Sequence, residues 1–353
     1  MNNILVVRPD RLGDVILSTP VLKILRAQYP KATITFFTRA EWQSVLRFGD
    51  EFKLFRYEPL GRHQGHAGRR NLIAELRQQK FDAAIVLQNT PRVSLAVWWA
   101  KIPLRIGPLS HWTSWIVFNR GIRQKRSESI FHEAEYNAQL LEAIDIEFKP
   151  GNLPEPFLGL TPDASHRADL WMREHGLQKK KFVVVHPGSR GSARVIPDAM
   201  ILSCVVEILQ TGTPVVISAG PGEQDQTRKM KQELRQHSDA KNSEIFYWGL
   251  DAPQPLDCFA ALLGSAKAMV AHSTGPLHMA AAMGTRCFGI YSPILVQQPR
   301  RWGPIGQSGQ HETWTPDVQC PAHFSCLGPK CSEFDCMERF SSKSVVKFLS
   351  RHP

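Results

Sequence analysis

Residues 270–293 read VAHSTGPLHMAAAMGTRCFGIYSP: an apolar run, a small polar turn, an Ala-rich stretch of helical length, a glycine and a second apolar run. That pattern is strand, loop, helix, strand, the repeating unit of a parallel sheet. Ser273, Thr274 and Gly275 stand where the helix opens. Unpaired backbone N–H groups, the positive end of the helix dipole and two hydroxyls at such a start suit an anion, and phosphate fits best. Ordinary N-capping by Ser or Thr explains the same residues equally well when this segment is read alone.

The same alternation runs outward in both directions. Strand-like and helix-like segments follow one another at 4–7, 15–27, 33–38, 42–47, 72–79 and 83–87, then again at 182–186, 200–210, 214–218, 224–236, 258–263, 268–271, 278–283 and 287–291. Between the two series lies a Pro- and Gly-rich, aperiodic stretch at 150–162. The expectation is an α/β chain of two Rossmann-like domains, 1–155 and 156–335, facing across a cleft, with ligands at the carboxyl ends of the strands. A last amphipathic helix within 336–353 is expected to pack back on the N-terminal domain.

Composition narrows the function classes. With 42% apolar and 21% charged residues in 353, the chain has material for two full cores. It carries no run of eighteen apolar residues and enters a strand directly after MNN, so the expectation is a cytoplasmic protein without a signal peptide. The net charge of +11 is uneven: +8 falls on residues 1–150 and +3 on the remainder. The basic half is expected to meet an anionic partner such as nucleic acid, a membrane surface or a phosphorylated glycolipid. No RNP or helix-turn-helix signature supports nucleic acid.

Four junctions carry chemistry. At the end of the first strand, RPDRLGD groups Arg8, Asp10, Arg11 and Asp14, with Gly13 allowing close backbone approach. Asp14 beside arginines and a helix start is expected to have a low pKa and to be able to take a proton from an alcohol, or else merely to complement the helix dipole. In HPGSRGSARVIP, Ser189, Arg190 and Arg194 supply hydroxyl and guanidinium groups suited to a diphosphate. It lacks the G-K-[ST] ending of a P-loop. In AGPGEQDQ, Glu223 is placed to accept from ribose hydroxyls or to begin a helix. The absence of G-x-G-x-x-G after the first strand disfavours a nicotinamide dehydrogenase. The fourth junction is the opening segment, where His278 falls one helical turn after Thr274. The segment GRHQGHAGRR at 61–70, with Arg62, Arg69 and Arg70, is expected to be a loop recruiting an anion.

Seven cysteines are present. Cys204, Cys258 and Cys287 lie in apolar segments, whereas Cys320, Cys326, Cys331 and Cys336 crowd together near the end. Five, four and four residues separate the last four, unlike the paired C-x-x-C knuckles of common zinc sites. Reduced thiols or a local disulfide are expected, and no metal.

In order and spacing, RPDRLGDVILSTPVLKIL, HPGSRGSARVIP, GPGEQDQ and STGPLHMAAAMGT resemble glycosyltransferase family 9, the ADP-heptose lipopolysaccharide heptosyltransferases. The resemblance spans nearly the whole chain and implies a GT-B fold with the acceptor on the N-terminal domain. It implies that Asp14 is the general base of an inverting transfer and that Arg194 assists departure of the diphosphate. Ser189, Arg190 and Arg194 fall on its donor-phosphate loop, and Ser273, Thr274, Gly275, Pro276, Leu277 and His278 on the motif meeting diphosphate and sugar. Glu223 falls near the ribose, and Trp248 and Gly249 where a nucleobase is often received. Arg11, Gly13, Arg62, Arg69 and Arg70 fall to the acceptor. The implied partners are a nucleotide-sugar, a heptose donor above all, and an anionic glycolipid at the inner membrane surface, with peripheral membrane contact, no nucleic acid and no cofactor or metal.

Three departures stand out. Arg194 and Ile196-Pro197 replace the family's Lys and Trp-Pro, Ser273 stands where many members carry Asp, and the cysteine-rich tail belongs to a subset. A nucleotide-sugar epimerase of the same fold and a non-catalytic nucleotide-sugar-binding protein remain as alternative readings.

Overall fold

The computed structural model describes residues 1–189, 191, 193–237, 244–306 and 310–351. Arg190 lies outside the described residues. Two compact units are present: Met1–Arg126 with Ile130–Gly159, and Ser127–Ser129 with residues 160 onward. The chain thus divides between Gly159 and Leu160, inside the Pro- and Gly-rich stretch.

The first unit runs β1 (Asn3–Val7), α1 (Leu12–Ile16), α2 (Thr19–Gln28), β2 (Thr33–Arg39), β3 (Lys53–Tyr57), α3 (Gly65–Gln78), β4 (Ala83–Val86), α4 (Pro91–Trp99), β5 (Leu104–Pro108), α5 (Ser114–Val117), β6 (Arg120–Ile122) and α6 (Glu133–Gln139). The second runs α7 (Pro162–Glu174), β7 (Val183–His186), α8 (Asp198–Gln210), β8 (Val215–Ser218), α9 (Gln224–Gln236), β9 (Ile245–Trp248), α10 (Leu256–Ser265), β10 (Ala268–His272), α11 (Gly275–Ala282), β11 (Arg286–Ile290), α12 (Pro299–Trp302), β12 (Glu312–Trp314) and α13 (Lys343–Ser350).

Each unit holds one parallel sheet. The first has the order β3-β2-β1-β4-β5-β6 and the second β9-β8-β7-β10-β11-β12, so in both the winding reverses after the third strand and the fourth returns beside the first. In such sheets the crevice at the carboxyl ends of the two strands flanking the reversal is where ligands bind. That rule selects the ends of β1 and β4 in one unit and of β7 and β10 in the other. Pairing of Val7 with Phe37 and Val86, and of His186 with Ala271, sets those ends level.

The central strands are buried on both faces, as ILVV at 4–7 and VVV at 183–185 require. Helices close the layers. In α3, Gly68, Leu72 and Leu76 recur every fourth residue and form its buried stripe. The segment 61–70, expected as a loop, is therefore helical from Gly65 onward. Gly68 is required there because a Cβ would lie 2.2 Å from the His63 backbone carbon.

The closing helix is part of the second unit. Val345, Phe348 and Leu349 of α13 enter its core with Cys204 and Val205 of α8. Spacing of these apolar residues at 3 and 4 fits one face of a helix, and burying Phe348 alone contributes about 2 kcal/mol.

Candidate active site

Asp14 sits in the first turn of α1, whose start the turn after β1 holds at the carboxyl edge of the first sheet. Arg8, the residue after β1, is 1% exposed and is the hub of the region. Its Nη2 donates to Asp14 Oδ1 at 2.5 Å, its Nε to Asp10 Oδ1 at 2.8 Å and its Nη1 to Asn137 Oδ1 at 2.9 Å. Both terminal nitrogens reach Glu133 Oε1 at 3.1 Å. Arg126 Nη1 donates to that same oxygen at 2.6 Å, and Asn137 Nδ2 donates to Ser18 Oγ at 3.1 Å.

Three carboxylates around one guanidinium set the electrostatics. Burial by itself would lower the pKa of Arg8, but Asp10, Asp14 and Glu133 outweigh it and raise it, so Arg8 stays charged. Asp14 moves the other way from expectation. Burial pushes its carboxyl up to about 6; the Arg8 charge opposes the shift, while Asp10 and Glu133 add to it. The sequence places cations beside Asp14 but cannot show that the site is dry enough for desolvation to win. An acid at about 6 is ionised at neutral pH and basic enough to accept a proton.

Glu133, Asn137 and Arg126 were not among the residues expected here. Glu133 and Asn137 are four apart on α6 and both fully buried, a polar pair on an inward helix face. That spacing is visible in HEAEYNAQLL, but only the fold reveals that the face looks inward.

Of the residues expected to hold the acceptor, Arg11 is exposed at the start of α1 and Gly13 is buried within it. Arg62, Arg69 and Arg70 follow β3, on the same carboxyl edge of the sheet but two strands from β1. Arg62 Nη2 pairs with Glu75 Oε2 at 3.1 Å, and the Arg69 guanidinium lies 5.1 Å from the Trp99 ring centre. Arg70 is exposed.

In the second unit the corresponding edge gathers His186 at the end of β7 with Gly188 and Ser189 after it, and His272 at the end of β10 with Ser273 and Thr274 after it. His186 Nδ1 and Ser218 Oγ share a hydrogen bond at 3.0 Å, and its Nε2 is 3.6 Å from Glu223 Oε2. The Gly220 N–H donates to the same Glu223 oxygen at 2.7 Å. A Cβ on Gly188 would lie 2.2 Å from the Glu223 carboxyl carbon, so glycine is what lets the loop pass. Burial depresses the pKa of His186, and burial together with His186 lowers His272 to about 4, leaving two neutral imidazoles beneath the loop. The Ile196 N–H donates to His272 Nε2 at 3.2 Å, which pins the far end of that loop.

Thr274 caps α11 in an extended conformation, and its hydroxyl donates back to the His272 carbonyl at 3.2 Å and accepts no cap bond from the helix N–H groups. The first-turn N–H groups of α11 therefore have no side-chain cap from Thr274. Ser273 hydrogen-bonds the buried Tyr291 hydroxyl. Gly275 and Pro276 form the first turn of α11, and His278, in its next positions, is 4% exposed.

Several expected donor contacts have other surroundings. Trp248 is 3% exposed, with its ring edge-on to Trp171 at 4.9 Å and stacked near Phe259 at 6.1 Å. That face is core. Gly249 has φ +74° and lets the chain pass the Ala219 carbonyl, 2.5 Å from where a Cβ would stand. Glu223 is 8% exposed and tied to the turn, and Leu277 is fully buried. The Arg194 guanidinium turns toward the C-terminal segment, contacting Cys326 Sγ and the Phe334 carbonyl and lying 4.6 Å from the Phe334 ring centre.

Comparison with known proteins gives one consistent result. The family model described as glycosyltransferase family 9 (heptosyltransferase) matches residues 69–326. A Haemophilus influenzae protein provisionally described as a glycosyltransferase is 30% identical over 328 residues, 90% of each chain. Lipopolysaccharide heptosyltransferase 2 of Salmonella typhimurium is 24% identical, over 82% of each. The solved structure of E. coli ADP-heptose lps heptosyltransferase II aligns with a TM-score of 0.74 at 20% identity, over 99% of this chain and 98% of that one. The shared fold is the two-unit α/β architecture called GT-B.

Proposed function

The chain belongs to glycosyltransferase family 9, and from that premise we propose that it is an inverting transferase moving heptose from an ADP-sugar to an anionic glycolipid of the lipopolysaccharide core. The observation that carries the reading is the Arg8–Asp14 pair at the switch point of the first sheet, a carboxylate held dry and near neutrality by a buried network.

In this reading Asp14 removes the acceptor hydroxyl proton as that oxygen attacks the anomeric carbon. The new C–O bond forms on the face opposite the nucleotide, the anomeric C–O bond to phosphate breaks, and the diphosphate leaves with the electron pair. Backbone N–H groups at the start of α11, with Ser189, Ser273 and Thr274, receive that charge. Arg190 and Arg194 are the cations we assign to the diphosphate, Arg194 by exchanging its contact with Cys326. Glu223 acts on the ribose through the turn it orders. No metal or cofactor is assigned to the transfer.

Acceptor capture fits the basic half of the chain, with Arg11, Arg62, Arg69 and Arg70 on one sheet edge. After β5 on that edge, Trp112, Trp115 and Ile116 are 78%, 65% and 52% exposed, and Arg120, Arg123 and Lys125 follow within ten residues in the sequence. Indole rings next to cations suit the headgroup layer of an anionic membrane, which is the basis for placing the protein in the cytoplasm, peripherally on the inner membrane. No helix among the described residues is long and apolar enough to cross a membrane.

Incubation with ADP-heptose and a heptose-acceptor core glycolipid, followed by mass analysis, tests the reaction. A mass gain of one heptose on the acceptor is expected. Donor conversion without acceptor would instead identify an epimerase, and ADP-sugar binding with no turnover a binding protein.

A further inference from the structure

The four tail cysteines, spread over 320–336, converge on the lining of one small pocket. Arg194, Glu333 and apolar residues such as Ile294, Val318 and Ala322 also line it. All four are free thiols, three partly exposed and Cys336 buried. From this convergence we propose a structural site for a soft divalent cation of the zinc class, held by the thiolates of Cys320, Cys326, Cys331 and Cys336.

Chemistry and surroundings support the assignment. Four thiolates are the donor set of a closed tetrahedral site, and the two intervals of four residues, Cys326 to Cys331 and Cys331 to Cys336, lie within the spacing that such ligands use. Binding exchanges four S–H protons for one divalent ion and leaves two negative charges on the cluster. Groups that accept this charge are already in place. The Arg194 guanidinium contacts Cys326 Sγ, and the Gly328 N–H donates to the same sulfur at 3.4 Å. Such second contacts orient and stabilise metal-bound thiolates.

The segment also needs a staple. Between β12 and α13 the chain forms only two short 3₁₀ turns, Gly328–Lys330 and Cys336–Arg339, and it exposes Phe324, Leu327 and Phe334. Apolar burial anchors its far end through Cys336, Met337 and Phe340 but does little for the rest. Among the described residues no three His, Cys, Asp or Glu side chains are already drawn tightly enough to hold an ion. To hold the ion proposed, the four sulfurs would have to draw in to about 2.3 Å from the metal. This proposal does not depend on the transfer reaction, although Arg194 joins the cluster to the loop that carries Ser189.

Elemental analysis of untagged full-length protein from zinc-supplemented cells should find about one zinc per chain. Replacement by Co²⁺ should give the intense sulfur-to-cobalt absorption and visible bands of a tetrahedral thiolate site. The C326S/C331S double variant should lose both signals, whereas Cys258→Ala, in a separate apolar segment, should keep them. A folded wild-type chain that takes up neither zinc nor cobalt overturns the proposal. So does a wild-type chain purified under non-reducing conditions whose tail cysteines are found by mass to be joined in disulfides. If the double variant fails to fold, the wild-type cobalt spectrum alone decides.

Discussion

The Arg8 guanidinium and the Asp14 carboxylate meet at 2.5 Å, with their side chains 2% and 15% exposed. Arg8 also holds Asp10 and Glu133, so Asp14 receives only part of its charge. Burial is the main reason an aspartate touching an arginine has a raised pKa, with Asp10 and Glu133 adding to the shift that Arg8 opposes.

Asp14→Asn should reduce transfer by about 10²–10⁴-fold, the usual contribution of a positioned general base. Calorimetry should find ADP-sugar affinity unchanged, because the donor residues lie on the other unit. Turnover within a few-fold of wild type would remove Asp14 as the base.

The pH profile of kcat/KM should fall on the acid side with a midpoint near 6, the value to which burial raises Asp14. The sign follows from the role: the base works ionised, so activity is full above the midpoint and lost as protonation proceeds below it. For stability the same shift acts oppositely. The folded state holds this proton more tightly than the unfolded chain, so the Asp14 contribution favours folding as pH falls from about 6 toward the ordinary aspartate range. A profile flat down to pH 5 would contradict the assignment.

Arg8→Met should cost about 3–5 kcal/mol of stability, since it leaves Asp14 and Glu133 buried without their shared partner. Urea unfolding measures it. A loss under about 1 kcal/mol would mean that Arg126, which also reaches Glu133, can take over the network.

Gly188→Ala forces the Glu223 carboxylate out of its place, because the new Cβ would lie 2.2 Å from it. ADP binding should weaken roughly tenfold, about 1.4 kcal/mol. Unchanged ADP affinity in a folded variant would separate this loop from the donor.

Trp248→Ala should lower stability by about 3–5 kcal/mol as a core truncation. The preference for ADP over UDP should not change, since the ring faces Trp171 and Phe259 and not an open site. A collapse of that preference would return Trp248 to the nucleobase.

What the sequence determined by itself was the alternation of apolar strands and amphipathic helices, the break near 150–162 and the junction loops, because each is a local pattern of period and turn chemistry. The shared strand order places the junctions after β1, β7 and β10 at the switch points. Distance-dependent properties were legible only in part. That Asp14 is dry depends on Glu133 and Asn137, more than a hundred residues away; that Trp248 is core depends on Trp171 and Phe259. The helical start of α3 depends on His63 passing beneath Gly68. Counting residues between cysteines gives no sign that tertiary folding brings all four and Arg194 to the lining of one pocket. Desolvation, stacking and ligand convergence are sums over neighbours in space, and only the folded chain supplies those neighbours.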